Sequence, residues 1–302
     1  MKAPVVLFVY NRPEHTRKTL ESLQANDGAA ESGLIVFADG PKENASQEEL
    51  RRIEEVRAIV QEKSWCGNVR LIASEKNKGL AESVIDGVTQ VVNEYGRVIV
   101  LEDDLVCSPQ FLTFMNRALD VYENEERVVS ITGYIYPVKE QLPETYFLRG
   151  ADCWSWATWK RGWAVFEKDG AKLLQELEHQ QWTHDFDFHG AYPYTQMLRD
   201  QVEGKNSSWA IRWYASAFLQ NLLTLYPGRS LVQNIGIDGS GTHSGQSDKW
   251  KVQLNHVAPQ VGQIPVEENG EARQAVIRFF RELRRVPLGK RIIDKLARLF
   301  AS

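Results

Sequence analysis

The stretch RVIVLEDDLVCSP, Arg97 to Pro109, decides how the rest of the chain reads. Val98 to Leu101 are four consecutive apolar residues, which predicts a short buried strand. Glu102, Asp103 and Asp104 follow where that strand would leave a sheet. Three adjacent carboxylates repel one another, so a cation is expected among them. Hard oxygen ligands at the carboxyl end of a strand suit Mg²⁺ or Mn²⁺ carrying a phosphate better than they suit zinc. A solvated acidic turn is the alternative. The uninterrupted apolar run before the acids favours the metal.

Upstream, the same grammar repeats. PVVLFVYNRPEHTRKTLESLQ opens with an apolar strand that runs into Asn11-Arg12-Pro13, and Leu20 and Leu23 share a helix face beginning near Pro13. Leu34 to Ala38 is a second strand, ending at Asp39-Gly40-Pro41. Gln47 to Lys63 reads as a charged amphipathic helix, Val69 to Ile72 as a third strand, and Ala81 to Tyr95 as a helix turning Val84, Val88, Val91 and Val92 inward. Strands alternating with helices predict an α/β fold, with a mostly parallel sheet flanked by helices and a crevice at the strands' carboxyl ends. Tyr10 to Arg12, Asp39, Asn77 to Leu80 and Glu102 to Asp104 converge there. No GxGxxG follows the first strand and no GxxxxGK[ST] occurs anywhere, which removes the usual signals for dinucleotide-redox and P-loop chemistry.

A chain of 302 residues is long enough for one large α/β domain or two smaller ones. Its net charge of −4 hides an asymmetry: Glu271 to Ser302 carries +6 and the remainder −10. An acidic body with a basic tail is not the pattern of a nucleic-acid binder. Cys66, Cys107 and Cys153 are too few and too scattered for a disulfide framework, and no CxxC pair suggests zinc. The apolar run Val5 to Tyr10 is too short for the core of a signal peptide, so the expectation is a cytoplasmic protein without a membrane span.

The series FVYNRPEHTRKTLESL, FADGPK, NKGLAESV and VLEDDL, over roughly residues 3 to 120, resembles the donor-binding half of GT-A fold nucleotide-sugar glycosyltransferases, specifically family-two enzymes and the N-acetylglucosaminyltransferase I group. The resemblance implies a Rossmann-like GT-A fold and a UDP-sugar donor. It implies that Tyr10, Asn11, Arg12 and Asp39 contact the base, and that Asn77, Lys78 and Gly79 lie against the nucleotide. It further implies that Asp104 coordinates Mn²⁺ or Mg²⁺ while Glu102 and Asp103 face ribose and donor sugar. A divalent ion neutralises a diphosphate leaving group as the glycosidic bond breaks, so the chemistry agrees.

Downstream, Val128 to Ile131 is a further strand, followed by the densest aromatic segment, Cys153 to Trp163. Trp154, Trp156, Trp159 and Trp163 fit no single helix or strand face. They form either hydrophobic packing beneath a lid or a platform for sugar rings. The WxWATWKRxW pattern resembles the segment that shapes the donor-sugar and acceptor pocket in these transferases, which implies acceptor contacts for Trp154 and Trp156. QWTHDFDFH, Gln181 to His189, offers either a second metal cluster of His184, Asp185, Asp187 and His189 or a strand or loop with buried phenyl groups. Ala191 to Glu203 and Trp209 to Leu223 read as helices, the second with Ser207 or Ser208 as N-cap.

An inverting transferase needs a carboxylate as general base. Resembling enzymes place an acid at or just before the start of the second of these helices, but this chain has Asn206-Ser207-Ser208 there. Asp187 and Asp152 are the remaining candidates. The loop NIGIDGSGTH, Asn234 to His243, resembles the one that closes over the donor, and His243 can reach a diphosphate oxygen or the metal. From Ala272 to Phe300 the basic tail carries Ile277, Phe280, Leu283, Leu288, Ile292, Leu296 and Leu299, and is broken by Pro287 and Gly289. It suits either an anionic membrane surface or packing on the protein's own core or a dimer partner.

The expected organisation is a donor-binding half over 1–125, an acceptor half over 126–265 and a tail over 266–302. The expected activity is transfer from a UDP-sugar to a glycan or lipid-linked acceptor, with inversion, in surface polysaccharide or lipopolysaccharide synthesis at the inner face of the membrane. A nucleotidyltransferase and a non-catalytic nucleotide-sugar-binding homologue are the rivals.

Overall fold

In a computed structural model of the chain, residues 2–238 and 248–284 are described. The N-terminal half is built from β1 (Val5–Val9), α1 (Pro13–Gln24), β2 (Gly33–Ala38), α2 (Gln47–Gln61), β3 (Asn68–Ala73), α3 (Leu80–Tyr95) and β4 (Arg97–Glu102). There follow β5 (Leu105–Cys107), α4 (Phe111–Val121), β6 (Val128–Thr132), β7 (Thr145–Arg149) and β8 (Trp156–Trp159). Five helices come next: α5 (Lys160–Trp163), α6 (Gly170–His179), α7 (Thr183–Phe186), α8 (Tyr194–Val202) and α9 (Trp209–Leu219). Then come β9 (Leu223–Pro227), β10 (Val232–Asn234) and α10 (Gly270–Leu283).

One eight-stranded sheet runs in the order β3-β2-β1-β4-β8-β6-β9-β7. Strands β1 to β4 are mutually parallel where they pair, as the alternating pattern requires, and β6 pairs parallel with β9. β8 is inserted antiparallel between β4 and β6, so the sheet continues without a break from the N-terminal strands into the C-terminal ones. The mixed, helix-flanked sheet is the expected Rossmann-like architecture. β5 and β10 pair antiparallel beside it, with Asn234 opposite Leu105.

Three apolar clusters fill the space around the sheet. One lies between the sheet and α1, α2 and α4; a second, on the opposite face, gathers Val84, Val88 and Val91 of α3 with Trp156, Trp163, Trp209 and Trp213. The four tryptophans pack around Trp156, whose ring centroid lies 5.5, 5.5 and 5.6 Å from those of Trp163, Trp209 and Trp213. The third cluster joins α6 to α10 with Tyr146, Leu148 and Tyr226.

Several elements differ from the expectations. Trp156 and Trp159 lie on opposite faces of β8, one in each of the two large cores, because a spacing of three reverses the side in a strand. The helix beginning at Trp209 stops at Leu219: Asn221 adopts φ 55° and the Leu222 N–H returns to Ala217 O, which releases Leu223 into β9. Ser208 is its N-cap, accepting from Ile211 N at 3.2 Å. QWTHDFDFH forms the short helix α7, not a strand; the positive φ of Phe188 and His189 turns the chain so that Phe186 and Phe188 both reach the third core. The first part of the tail is α10, with Ala272, Val276, Ile277 and Phe280 buried in that same core. The apolar face offered to a membrane is therefore spent on the protein itself up to Leu283; Pro287, Leu288, Gly289, Ile292, Leu296 and Leu299 lie outside the described residues. Among the described residues no helix is long and apolar enough to cross a membrane.

Candidate active site

The carboxyl ends of β1 and β4 lie side by side, with Phe8 paired to Glu102. Glu102 ends its strand, and Asp103 and Asp104 form the turn into β5. Arg12, just before α1, points at that turn. Its Nη1 lies 2.9 Å from Asp104 Oδ2 and 3.8 Å from Asp103 Oδ1, while Nη2 lies 3.7 Å from Asp238 Oδ1. His15, one helical turn on, places Nε2 at 3.1 Å from Asp238 Oδ2. The Thr19 hydroxyl donates to Asp103 O at 2.8 Å and so anchors the acidic turn to α1. Burial, followed by the charges of Asp104 and Asp103, pushes the Glu102 carboxyl above its usual range. Asp103, 9% exposed, is pushed the same way by burial and then by Asp104, with Arg12 pulling against both. Carboxyl groups thus crowd this turn, and burial with mutual repulsion favours the protonated forms of Glu102 and Asp103.

The chain returns to the same place at β10. Ile235 N donates to Asp104 O at 2.8 Å, and Gly236 packs so closely that a Cβ there would collide with Asp104 Oδ2. Only glycine permits that approach.

Asp39, at the end of β2, is a clamp. Its Oδ1 accepts from Gly40 N and Lys78 N at 2.8 Å each, and its Oδ2 accepts from Asn77 Nδ2 and Gly79 N at 2.9 Å each. Four donors saturate the carboxylate, so it holds the Asn77–Gly79 loop against β2. Tyr10 is similarly engaged, its hydroxyl donating to Glu49 at 2.6 Å. Lys78 Nζ reaches Asp86 at 3.5 Å.

Asp152 and Cys153 stand in the segment between β7 and β8. Asp152 is 9% exposed; Trp154 N donates to its Oδ1 at 2.9 Å, and the Tyr136 and Tyr226 hydroxyls donate to its Oδ2 at 3.3 and 3.4 Å. Burial raises its carboxyl above the usual range even though these bonds pull it down. Burial likewise drives the Cys153 thiol far up, and the charges of Asp152, Glu102 and Asp104 add to that. Trp154 is half-buried, its ring 4.7 Å from Tyr134 and 5.7 Å from Trp250.

Other candidates stand elsewhere. Trp156 is 1% exposed in the tryptophan cluster and has no free ring face for a sugar. Asp187 accepts from Thr195 N at 2.6 Å and Thr195 Oγ1 at 2.8 Å, which caps the start of α8. His184 and His189 stack with centroids 5.4 Å apart, and His189 Nε2 lies 3.3 Å from Asp185. No group of three or more His, Cys, Asp or Glu side chains is placed to hold a metal ion among the described residues. His243 lies outside them. The roles of His15, Tyr136 and Tyr226 left little trace in the sequence; for His15 the signal was its position one turn after Arg12.

These features belong together in one class. Residues 5–170 match the model of Glycosyl transferase family 2, and the chain is a member of that family. It has the GT-A, Rossmann-like fold. No curated protein sequence matches it. Among solved structures it is similar to S. aureus TarS 1-349, at 17% identity and TM-score 0.36 over 55% of this chain and 48% of that one. It is also similar to mouse xyloside xylosyltransferase 1 in its apo form, at 13% identity and TM-score 0.27 over 45% and 53%. UDP-glucose pyrophosphorylase complexed with UDP-glucose matches at 11% identity and TM-score 0.35 over 74% and 90%. The chain spans about half the length of the first and second of these structures.

Proposed function

We propose that the protein transfers a sugar from a UDP-sugar to a glycan or lipid-linked acceptor with inversion, using Mn²⁺ or Mg²⁺. The observation that carries this is the crowding of three carboxyl groups, Glu102, Asp103 and Asp104, against one guanidinium, Arg12, at the carboxyl ends of β1 and β4. Hard carboxylate oxygens in that setting fit a divalent cation. Asp104 would hold it, joined by His243, with Glu102 and Asp103 toward ribose and sugar. A bound ion there neutralises the diphosphate leaving group.

In this reading residues 1–125 bind the donor, 126–265 the acceptor, and 266–302 form a basic tail. Tyr10, Asn11 and Arg12 line the base, and Asn77 to Gly79 lie against the nucleotide in the shape that Asp39 imposes. Asp152 is the stronger candidate for general base: burial raises its proton affinity, which suits taking a proton from an acceptor hydroxyl. Asp187 is the weaker one, since Thr195 occupies it. Trp154 offers the acceptor a ring face. Surface polysaccharide or lipopolysaccharide synthesis at the inner face of the membrane is the setting this reading favours, with residues beyond Leu283 as the part left to bind an anionic surface.

A second reading, a nucleotide-sugar-binding homologue without turnover, is favoured by Asn206-Ser207-Ser208, where Ser208 is spent on capping α9. Release of UDP from a panel of UDP-sugars with Mn²⁺ and candidate glycan acceptors separates the two. Transfer that is lost in Asp152→Asn while UDP still binds supports the enzyme; binding without any transfer or hydrolysis supports the homologue.

A further inference from the structure

The sheet has two outer strands, and the chain treats them differently. β7, at one end, is covered by the chain's own return: Phe147 forms a parallel bridge with Glu268, Asn269 N donates to Phe147 O at 2.9 Å, and Arg149 N donates to Glu268 Oε1 at 2.9 Å. β3 stands at the other end, and among the described residues no strand pairs with its outer edge. Its sequence NVRLIA contains neither lysine nor proline, and its register with β2 runs from Asn68 to Ala73 without a bulge. Those are the devices that blunt an edge, and a regular apolar edge without them is a template for another strand.

Apolar side chains stand half-covered on both faces of this edge. Val69 and Leu71 are half-buried on the α2 side, where they line a groove of about 480 Å³ together with Val60, Lys63 and Gly67. Side chains alternate along a strand, so Arg70 and Ile72 take the α3 side. There Arg70 Nη2 lies 3.4 Å from Glu94, and Tyr95, the next residue of α3, is 42% exposed. Two charges flank the strand. Lys63 lies in the groove at the Asn68 end, its Nζ held 4.2 Å over the Trp65 ring, and Glu75 is exposed just beyond Ala73. Among the described residues neither makes an ion pair.

Opposite charges at opposite ends of one strand are self-complementary about a two-fold axis, because antiparallel pairing brings the Asn68 end of one copy to the Ala73 end of the other. Residues facing each other in such a pair share a face of the sheet. With Leu71 against its own copy, Arg70 meets Ile72 and Val69 meets Ala73. Gly67 then stands opposite Glu75, which carries that carboxylate toward Lys63, twice over by symmetry. The register centred on Arg70 instead sets arginine against arginine and is disfavoured by like charge.

We propose that the β3 edge is a dimer interface, a second copy of this chain adding its own β3 antiparallel about a two-fold axis through Leu71 and closing with Lys63–Glu75 ion pairs. The inference does not rest on the glycosyltransferase reading. β2 and β1 separate this edge from β4 and its acidic turn, so that turn stays open in both copies. One strand pair with its flanking helices makes a small interface, so the dimer should dissociate in the range of about 1 to 100 µM.

Sedimentation velocity of the full chain from about 1 to about 200 µM tests this. A concentration-dependent rise from one chain to two is expected. Lys63→Glu and Glu75→Lys are exposed changes; each acts twice and replaces attraction with repulsion, so each should weaken association by about tenfold or more. The two together should restore it to within about threefold of the wild type. Leu71→Cys should give a disulfide-linked dimer under mild oxidation, a product the wild-type chain, with Cys66 and Cys107 buried, should lack. A monomer at every concentration, association unaltered by both single changes, or no recovery in the double variant would overturn the proposal. So would a chain that dimerises yet gives no cross-link through Leu71→Cys.

Discussion

The Arg12 guanidinium lies 2.9 Å from Asp104 Oδ2 and 3.8 Å from Asp103, so the chain supplies its own cation to its most acidic turn. A metal ion binding at Asp104 must compete with that arginine. Arg12→Gln should therefore bind Mn²⁺ more tightly than the wild type when no nucleotide is present. Its Tm without metal should fall, by the equivalent of about 1–3 kcal/mol for a lost charge-assisted bond. Titration calorimetry with Mn²⁺ checks the first part, and equal affinity would rule out the competition.

The acidic turn also sets a pH dependence. Glu102 and Asp103 are both pushed above the usual carboxylate range, chiefly by burial, so the folded chain holds protons that the unfolded chain releases. Their contribution to stability is fully present below the ordinary carboxylate range and is lost as pH rises through the raised folded values. In EDTA the Tm should drop between about pH 5 and about pH 8, and Asp103→Asn should flatten that slope. The variant would gain about 1.4 kcal/mol at the alkaline end for each tenfold excess in proton affinity removed. A steeper slope in the variant would contradict the assignment.

Trp154 and Trp156 should separate cleanly. Trp156→Ala opens a cavity among Trp163, Trp209 and Trp213 and should cost about 3–5 kcal/mol. Trp154→Ala, at a half-buried ring, should cost less than half of that while raising the KM for acceptor. Denaturant unfolding and initial rates read the two effects; a larger stability loss at Trp154 would reverse the assignment.

Asp39 holds a loop by four donors. In Asp39→Ala the Lys78 and Gly79 amides lose their acceptor and should exchange with solvent at least about tenfold faster, with a stability loss of about 2–4 kcal/mol. Unaltered exchange at both amides would mean that the loop is shaped by other contacts.

Much of the N-terminal half was legible because its central strands are buried on both faces and read as unbroken apolar runs: Val5 to Val9 and Val98 to Leu101 admit few other readings. The same property concealed the C-terminal half. β8 is buried on both faces and contains tryptophan on each, so no alternation betrays it. β9 is equally apolar and is joined to the preceding helix by only Gln220, Asn221 and Leu222; the local signal was Asn221, a residue suited to the left-handed conformation that ends α9. The Tyr136 and Tyr226 contacts to Asp152 span 16 and 74 residues and depend on how the sheet is ordered, which no local pattern encodes.

The central claim is a UDP and metal site at Asp104. Thermal unfolding with UDP, GDP and CDP, each with and without Mn²⁺, on wild type and Asp104→Ala tests it most directly. Ligand at about a hundred times its Kd should add roughly 2.7 kcal/mol, worth several degrees in a chain of this size. The account predicts that rise for UDP plus Mn²⁺ in the wild type and its loss in Asp104→Ala. No rise with any nucleotide, or the same rise in the variant, would contradict it.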